Sequence, residues 1–453
     1  MVSSAIASDK KDPKDLLDKA GEPSRVAVDR HRFYHGKIEV APKCPVHRLE
    51  DLSVWYTPGV AEVCRMIMKD PDQADVLTNR GNTIAVLSDC TRVLGLGNIG
   101  PLAGLPVMEG KALLFKYLGG VDAFPICIAE TDERRIVEIA RALVPSFAGI
   151  NLEDIQQPKC FAVLAELRRS LGIPVWHDDQ QGTATIVTAG VINALKVVGK
   201  RKADARVTLI GAGAANIYTA RLLAAVGLDV RRMLITDSRG ILHPGRRELE
   251  SAYPEKWDLA LRSNSEGRAG GNEEAMRDAD VVIAASHPGP GVISGRMVRS
   301  MADRAIIFSD ANPIPEIWPW EAKEAGAAVI ATGRSDFPNQ INNSMVFPAM
   351  FRGCLDVGAT RIEDEMCIAA ANELANTAEE NGLDQERIVP SMKDPEAFIN
   401  EAVAVGLKAI EMGLARTVLG RTELKEKVTL RIKGARYQME VMMRTGLIPA
   451  YPV

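Results

Sequence analysis

At 453 residues the chain is longer than one hydrophobic core organises, so two domains are expected. Its 46% hydrophobic and 25% charged residues are those of a globular protein, and a formal charge of -4 offers no basic field for nucleic acid or anionic lipid. Aromatic residues make up only 5%, too few for base-stacking or carbohydrate platforms, and no apolar run approaches the roughly 18 residues of a membrane span.

The opening stretch, MVSSAIASDKKDPKDLLDKAGEPSR, lacks the apolar core of a signal peptide, and residues 1–30 are expected to form a polar, mobile leader. Short apolar runs follow at residues 83–87, 123–128, 148–152 and 174–176, with helical periodicity over 132–144 and 158–171. This alternation predicts an α/β fold with a parallel sheet, in a first domain over residues 31–182. Polar residues end three of the runs: Ser88-Asp89, Glu153-Asp154 and His177-Asp178-Asp179. One rim of a parallel sheet is where such proteins build sites.

Residues 182–199, GTATIVTAGVINALKVVG, read as a buried helix at a hinge. A second α/β domain over residues 183–420 opens with a strand at 207–210, the turn GAGAAN and a helix to Val226. Further strands are expected at 233–236, 281–285, 305–308 and 327–330, then helices over 345–357, 361–381 and 395–412. Residues 421–453 read as an amphipathic, helical C-terminal arm suited to packing or oligomer contact. The seven cysteines are odd in number and form no C-x-x-C pair, which fits free thiols in a reducing, cytoplasmic setting.

Gly211, Gly213 and Ala214 lie directly after a strand and at the start of a helix, the context that gives a G-x-G its meaning. Gly211 permits the tight turn; Gly213 lets the backbone approach a pyrophosphate at the positive end of the helix. The pattern predicts a Rossmann-type domain for NAD or NADP. Asn216 replaces the usual third small residue, so looser packing of helix on strand is expected. Asp237 ends the second strand, where an acid holds ribose hydroxyls and favours NAD. Ser238, Arg239, Arg246 and Arg247 suit a 2′-phosphate instead, and the choice stays open.

The acid pairs Glu153-Asp154 and Asp178-Asp179 end neighbouring predicted strands. Hard divalent cations take oxygen ligands, so Mg²⁺ or Mn²⁺ is the expected occupant. Helix N-capping by Asp154 and Asp179 is the alternative.

Seven segments, in order along the chain, resemble the malic enzyme family, in particular its compact prokaryotic branch: YTPGVAE (56–62), SDCTRVLGLGNIGPLA (88–103), LPVMEGKALLFK (105–116), INLEDI (150–155), HDDQQGTA (177–184), ANPIPEI (311–317) and TGRSDFPNQINN (332–343). The resemblance implies an N-terminal substrate and metal domain before the dinucleotide domain. It implies that Glu153, Asp154 and Asp179 ligate the metal, with Asp178 organising the groups behind them. It further implies Lys111 as base for the C2 hydroxyl of malate and Tyr56 as proton donor to C3 after loss of CO₂. For Lys111 to act as base its pKa has to fall, through a neighbouring cation and partial burial. Arg92, Asn312 and Asn343 would bind substrate, Asn312 also touching the cofactor.

The chain departs from the family pattern at Cys90 (usually Gly), Gln181 (His in the prokaryotic branch), Asp310 (apolar), Asn216 and Ser344-Met345. Two other functions compete with oxidative decarboxylation of malate. One is the same machinery on another 2-hydroxy acid, or a malolactic-type reaction; the other is a catalytically idle nucleotide-binding homologue. The small-molecule chemistry predicts no nucleic-acid or membrane partner, and a homodimer or higher homo-oligomer is expected.

Overall fold

A computed structural model describes residues 13–289 and 291–452, with side chains from residue 23 onward. Its first sheet has the order β2-β1-β3-β4, all parallel, from β1 (Thr83–Ser88), β2 (Asp122–Cys127), β3 (Gly149–Leu152) and β4 (Val175–His177). Strand β1 is buried at every residue, which is why its middle, Ile84 to Leu87, is continuously apolar rather than alternating. Helices Glu133–Leu143 and Lys159–Ser170 cover one face, packing Ile136, Val163 and Leu167 against Leu87 and Ile150. Each fully buried side chain of this kind contributes roughly 1.5–3 kcal/mol.

The helix Gly100–Gly119 covers the other face. Sequence periodicity does not announce it, because Gly104, Pro106 and Gly110 interrupt the pattern of good helix formers. Gly104 is required by close approach: a Cβ there would collide with Cys90 Sγ. Phe115 anchors the helix, its ring 4.5 Å from that of Phe347.

The second sheet runs β10-β9-β8-β5-β6-β7. Strands β5 (Val207–Ile210), β6 (Met233–Asp237), β8 (Val281–Ala284), β9 (Ile306–Ser309) and β10 (Val329–Thr332) are parallel; the two-residue β7 (Gly240–Ile241) is antiparallel. Strand order reverses at β5, the switch point at which open α/β sheets bind ligands. Between the sheets, helix Thr183–Val197 is buried over most of its length, after a single wide turn at Asp178–Gly182.

The C-terminal part is helical: Phe347–Val357, Asp364–Glu380, Pro395–Glu411 and Arg421–Arg444. The last helix presents Leu424, Val428 and Ile432, spaced by four, as one buried face. Within the stretch expected to be a mobile leader, Pro13–Tyr34 is a helix, while residues 1–12 lie outside the described residues. Its end is fixed by tertiary contacts no local reading sees. Tyr34 Oη donates to Pro449 O at 2.9 Å, and Phe33 meets Tyr451 edge-on at 5.3 Å. No described helix is long and apolar enough to cross a membrane.

Candidate active site

The acid pairs lie where β3 and β4 end, side by side in the sheet. Helix Gly100–Gly119 lays Lys111 over them, with Nζ 2.5 Å from Asp178 Oδ2 and 3.0 Å from Glu153 Oε1. The same ammonium stands 4.3 Å from the centre of the Phe347 ring. Asn151 Nδ2 donates to Glu153 Oε2 (2.8 Å) and Trp176 Nε1 to Asp178 Oδ1 (2.9 Å), so both acids are held from behind. Asp154 takes a left-handed backbone, φ +52°, and donates its N–H to Asp179 Oδ2 at 2.9 Å. Neither Asp154 nor Asp179 caps a helix, which removes the alternative reading of the pairs.

One oxygen each from Glu153, Asp154 and Asp179 lie within 4.8 Å of one another. Asp154 Oδ2 is buried with no hydrogen-bond partner among the described residues. Burial, then repulsion from Asp179, pushes the Asp154 carboxyl up to about 8; burial also raises Glu153, Asp178 and Asp179. Four acids therefore share one buried lysine. A divalent cation fits that deficit of positive charge and the orphaned oxygen. Burial by itself would lower the Lys111 pKa, but Asp178 and Glu153 together hold it above the usual lysine value, so the expected fall rests on a cation beside it.

Arg92 is exposed on the adjoining loop; its N–H donates to Asp154 O (3.0 Å) and its guanidinium to Leu94 O (2.7 Å). Its charge also reaches Asp154 and Asp179, favouring their ionised forms. Asn343 adjoins the acids, since a Cβ added at Gly182 would collide with Asp178 and lie 3.0 Å from Asn343 Cβ. Asn312 Nδ2 donates to Asp310 O at 3.1 Å, and Asn312 O lies 3.2 Å from a Cβ built on Gly95, in the Arg92 loop. Asn343 thus adjoins the turn that carries Asp178 and Asp179, and Asn312 adjoins the loop that carries Arg92.

At the nucleotide turn Gly211 has φ +96° and donates to Thr236 O at 3.0 Å. A Cβ there would come 2.6 Å from Ala285 O. A Cβ at Gly213 would meet nothing within 4 Å, so the space in front of helix Ala214–Ala225 is open. Asn216 corrects the expectation of looser packing. Buried, it donates to Ile210 O (2.9 Å) and Gly211 O (3.0 Å), stitching the helix to β5.

Comparison with known families decides the lineage. Residues 35–136 match the family description "Malic enzyme, N-terminal domain", and residues 180–410 match "Malic enzyme, NAD binding domain". The chain belongs to the malic enzyme family. It is 45% identical over 401 residues to the bifunctional malic/malolactic enzyme of Bacillus subtilis, covering 88% of this chain and 96% of that one. It is 46% identical over 390 residues to the NAD-dependent malic enzyme of Geobacillus stearothermophilus, covering 86% and 80%. The crystal structure of Entamoeba histolytica malic enzyme superposes with a TM-score of 0.95 at 41% identity, covering 98% of this chain and 93% of that one.

Within the family pattern, the departures have physical accounts. Cys90 has φ +55°, a conformation glycine adopts freely, and its thiol fills the space against Gly104. Gln181 Oε1 accepts the His177 N–H at 2.9 Å and closes the turn that carries Asp178 and Asp179. His177, fully buried, has neither ring nitrogen hydrogen-bonded among the described residues, and burial lowers its pKa to about 4. Asp310, next to Gly333 and Asn312, forms no ion pair among the described residues; burial and Glu316 drive its carboxyl well above the usual range.

Tyr56 is not brought into the cluster. It is 73% exposed, and no hydrogen bond among the described residues joins its side chain to Lys111 or the acids. The short helices between Leu49 and Leu77 around it bury no side chain. Sequence reading missed Lys159, which pairs with Asp89 and ties down the polar residue after β1.

Proposed function

We propose that the chain oxidises and decarboxylates malate to pyruvate and CO₂, reducing NAD or NADP, with Mg²⁺ or Mn²⁺ held by Glu153, Asp154 and Asp179. The observation that carries this reading is the set of four acids around buried Lys111, on a rim whose turn Asp178–Gly182 packs against the helix that follows the dinucleotide turn. When bound, the cation would supply positive charge to the substrate's C1 carboxylate and C2 oxygen. Lys111 is placed to accept the C2 hydroxyl proton; a cation held by Glu153 would take that acid's charge from the ammonium and would oppose the stronger pull of Asp178. Asp178 keeps Lys111 in place. Arg92 clamps a carboxylate with its planar fork, and Asn312 and Asn343 orient the substrate from the cofactor domain. Gly211, Gly213 and Ala214 hold the pyrophosphate.

Tyr56 protonates C3 in an assembled form. Its exposure, beside Val54 (62% exposed), Trp55 (47%) and Met68 (83%), supports a homodimer or higher homo-oligomer in which a second copy covers this face. The free cysteines suit a cytoplasmic location. The test follows absorbance of reduced nicotinamide with malate, each cofactor, and added Mn²⁺ or chelator. Turnover with malate that persists in rigorously metal-free protein overturns the metal assignment; no reduction of either cofactor overturns the substrate.

A second reading, another 2-hydroxy acid in place of malate, draws on Asp310 beside Asn312. A less anionic substrate would meet no repulsion from that carboxyl when it ionises.

A further inference from the structure

The helix Asp364–Glu380 holds both halves of the proposed active site from one face. Its first residue, Asp364, meets the helix Ala214–Ala225 that follows the dinucleotide turn. Cys367, three residues on and so on the same face, meets the turn Asp178–Gly182 that carries two of the acids. We infer that Asp364 is a positioning residue: it fixes the nucleotide helix at a set distance from the acid rim. It thereby sets the approach of nicotinamide to the substrate carbon that gives up hydride. The inference rests on the proposed oxidation of malate, and the role is exercised through the helix rather than by contact with either ligand.

Asp364 gathers donors from two other elements. Tyr218 Oη donates to its Oδ1 and Arg221 Nε pairs with its Oδ2, both from the nucleotide helix. Arg168 comes from the last turn of the helix Lys159–Ser170 in the first domain. One prong, Nη1, stands 3.5 Å from Asp364 Oδ1, and the other, Nη2, 2.7 Å from Glu363 Oε2. Two arginines against two acids leave the group neutral. The side chains of Arg168 (15% exposed) and Asp364 (16%) are mostly enclosed, and Tyr218 is buried. Charge-assisted hydrogen bonds shielded from water are the short, strong ones that keep a geometry.

Gln181 makes the link to the acids with the two ends of one amide. Its Oε1 accepts the His177 N–H at 2.9 Å, and its Nε2 donates to Cys367 Sγ at 3.9 Å. The same turn packs directly against the nucleotide helix, and Ala214, at the head of that helix, rests on the core of the first sheet. Hydride transfer is sensitive to such spacing. The reacting atoms have to come within about 3–3.5 Å, and a misplacement of about 1 Å costs roughly a hundredfold. Apolar packing alone resists sliding weakly, whereas a carboxylate that grips two side chains of the nucleotide helix fixes its register.

The experiment compares two reactions of the full chain. Asp364→Ala is expected to slow nicotinamide reduction by malate about tenfold or more, in a single turnover with enzyme in excess. Its Mn²⁺-dependent decarboxylation of presented oxaloacetate, which needs no hydride transfer, is expected to stay close to wild type. Unchanged nicotinamide reduction, or equal losses in the two reactions, overturns the inference. Tyr218→Phe, which deletes one hydrogen bond and keeps the ring in the core, is expected to act in the same direction, and it decides the matter where Asp364→Ala does not fold. Amide hydrogen exchange reads the positioning with no ligand present. In the variant, amides of Ala214–Ala225 and Asp178–Gly182 are expected to exchange faster, and those of β1 at the wild-type rate. Unchanged exchange in both elements, or equal acceleration in β1, overturns the inference. Wild-type protein that reduces no nicotinamide with malate overturns the proposed function instead, and the exchange rates still decide whether Asp364 holds the helix.

Discussion

Lys111 Nζ and Asp178 Oδ2 are 2.5 Å apart, on side chains only 8% and 0% exposed. The two come from separate elements, the helix Gly100–Gly119 and the turn after β4, so the pair fastens that helix to the rim where β3 and β4 end. Lys111→Ala strips Asp178 and Glu153 of their shared counter-charge. Breaking a buried pair costs about 3–5 kcal/mol. The variant is expected to unfold in correspondingly less urea and to show no hydride transfer in a single-turnover absorbance trace. Unchanged stability would mean that the pair is not enclosed in solution.

Metal removal is expected to act on stability as well as rate. In chelator, Glu153, Asp154 and Asp179 repel one another, and Asp179→Asn should raise the melting temperature of the metal-free protein. Mn²⁺ at a hundred times its Kd should stabilise wild type by about 2.7 kcal/mol, and Asp179→Asn far less. Calorimetric melting with and without Mn²⁺ checks both. Equal Mn²⁺ responses in the two proteins would remove Asp179 from the site.

The roles proposed for Tyr56 and Lys111 belong to separate chemical steps. Tyr56→Phe is expected to suppress overall turnover while sparing reduction of a presented keto acid, because protonation at C3 lies after hydride transfer. If a second copy brings Tyr56 to the cleft, subunits carrying Tyr56→Phe and Lys111→Ala should regain activity when unfolded together and reassembled. A mixture no more active than its components would place Tyr56 in its own subunit's reaction or outside the chemistry.

Asp310 should make malate binding pH-dependent. Burial and Glu316 hold its pKa above the normal range, so the neutral acid prevails below that raised value. As pH rises through it, the new negative charge repels a dicarboxylate, and KM for malate is expected to climb. Asp310→Asn should abolish the climb and leave KM at low pH near wild type. Parallel pH profiles for the two proteins would show that Asp310 points away from the substrate.

Glu401 is fully buried, and both its carboxyl oxygens lack partners among the described residues. Burial, then Glu373, raises its folded-state pKa well above the unfolded value. Stability is therefore complete below the unfolded pKa and falls as pH climbs towards the folded one. Glu401→Leu is expected to gain about 1–3 kcal/mol at pH 8 and little at pH 4.5. Urea denaturation at the two pH values reads this directly; a loss at pH 8 would mean that Glu401 has a partner in solution.

The sequence by itself determined the strands and the acids at their ends. Val207–Ile210 is a strand in both readings, and residues 83–87 extend only to Ser88, because a run of apolar residues between turn signals is a local property. Glu153, Asp154 and Asp179 were legible for the same reason: each follows a strand directly, and adjacent parallel strands end on one rim. Lys111 was not legible from local pattern. Its helix is masked by Gly104, Pro106 and Gly110, and its partner Asp178 lies 67 residues further on. The two carboxylates that raise its pKa were not legible for a related cause. Burial favours the neutral amine, and only the distances to two specific carboxylates reverse that. Asp237 and Arg246 show the same division: the sequence put both in one short stretch after a strand, but only the fold turned one onto the other. Periodicity and propensity act over a few residues, whereas charge and close contact act through space, so the tertiary structure alone decided which of these groups neutralise each other.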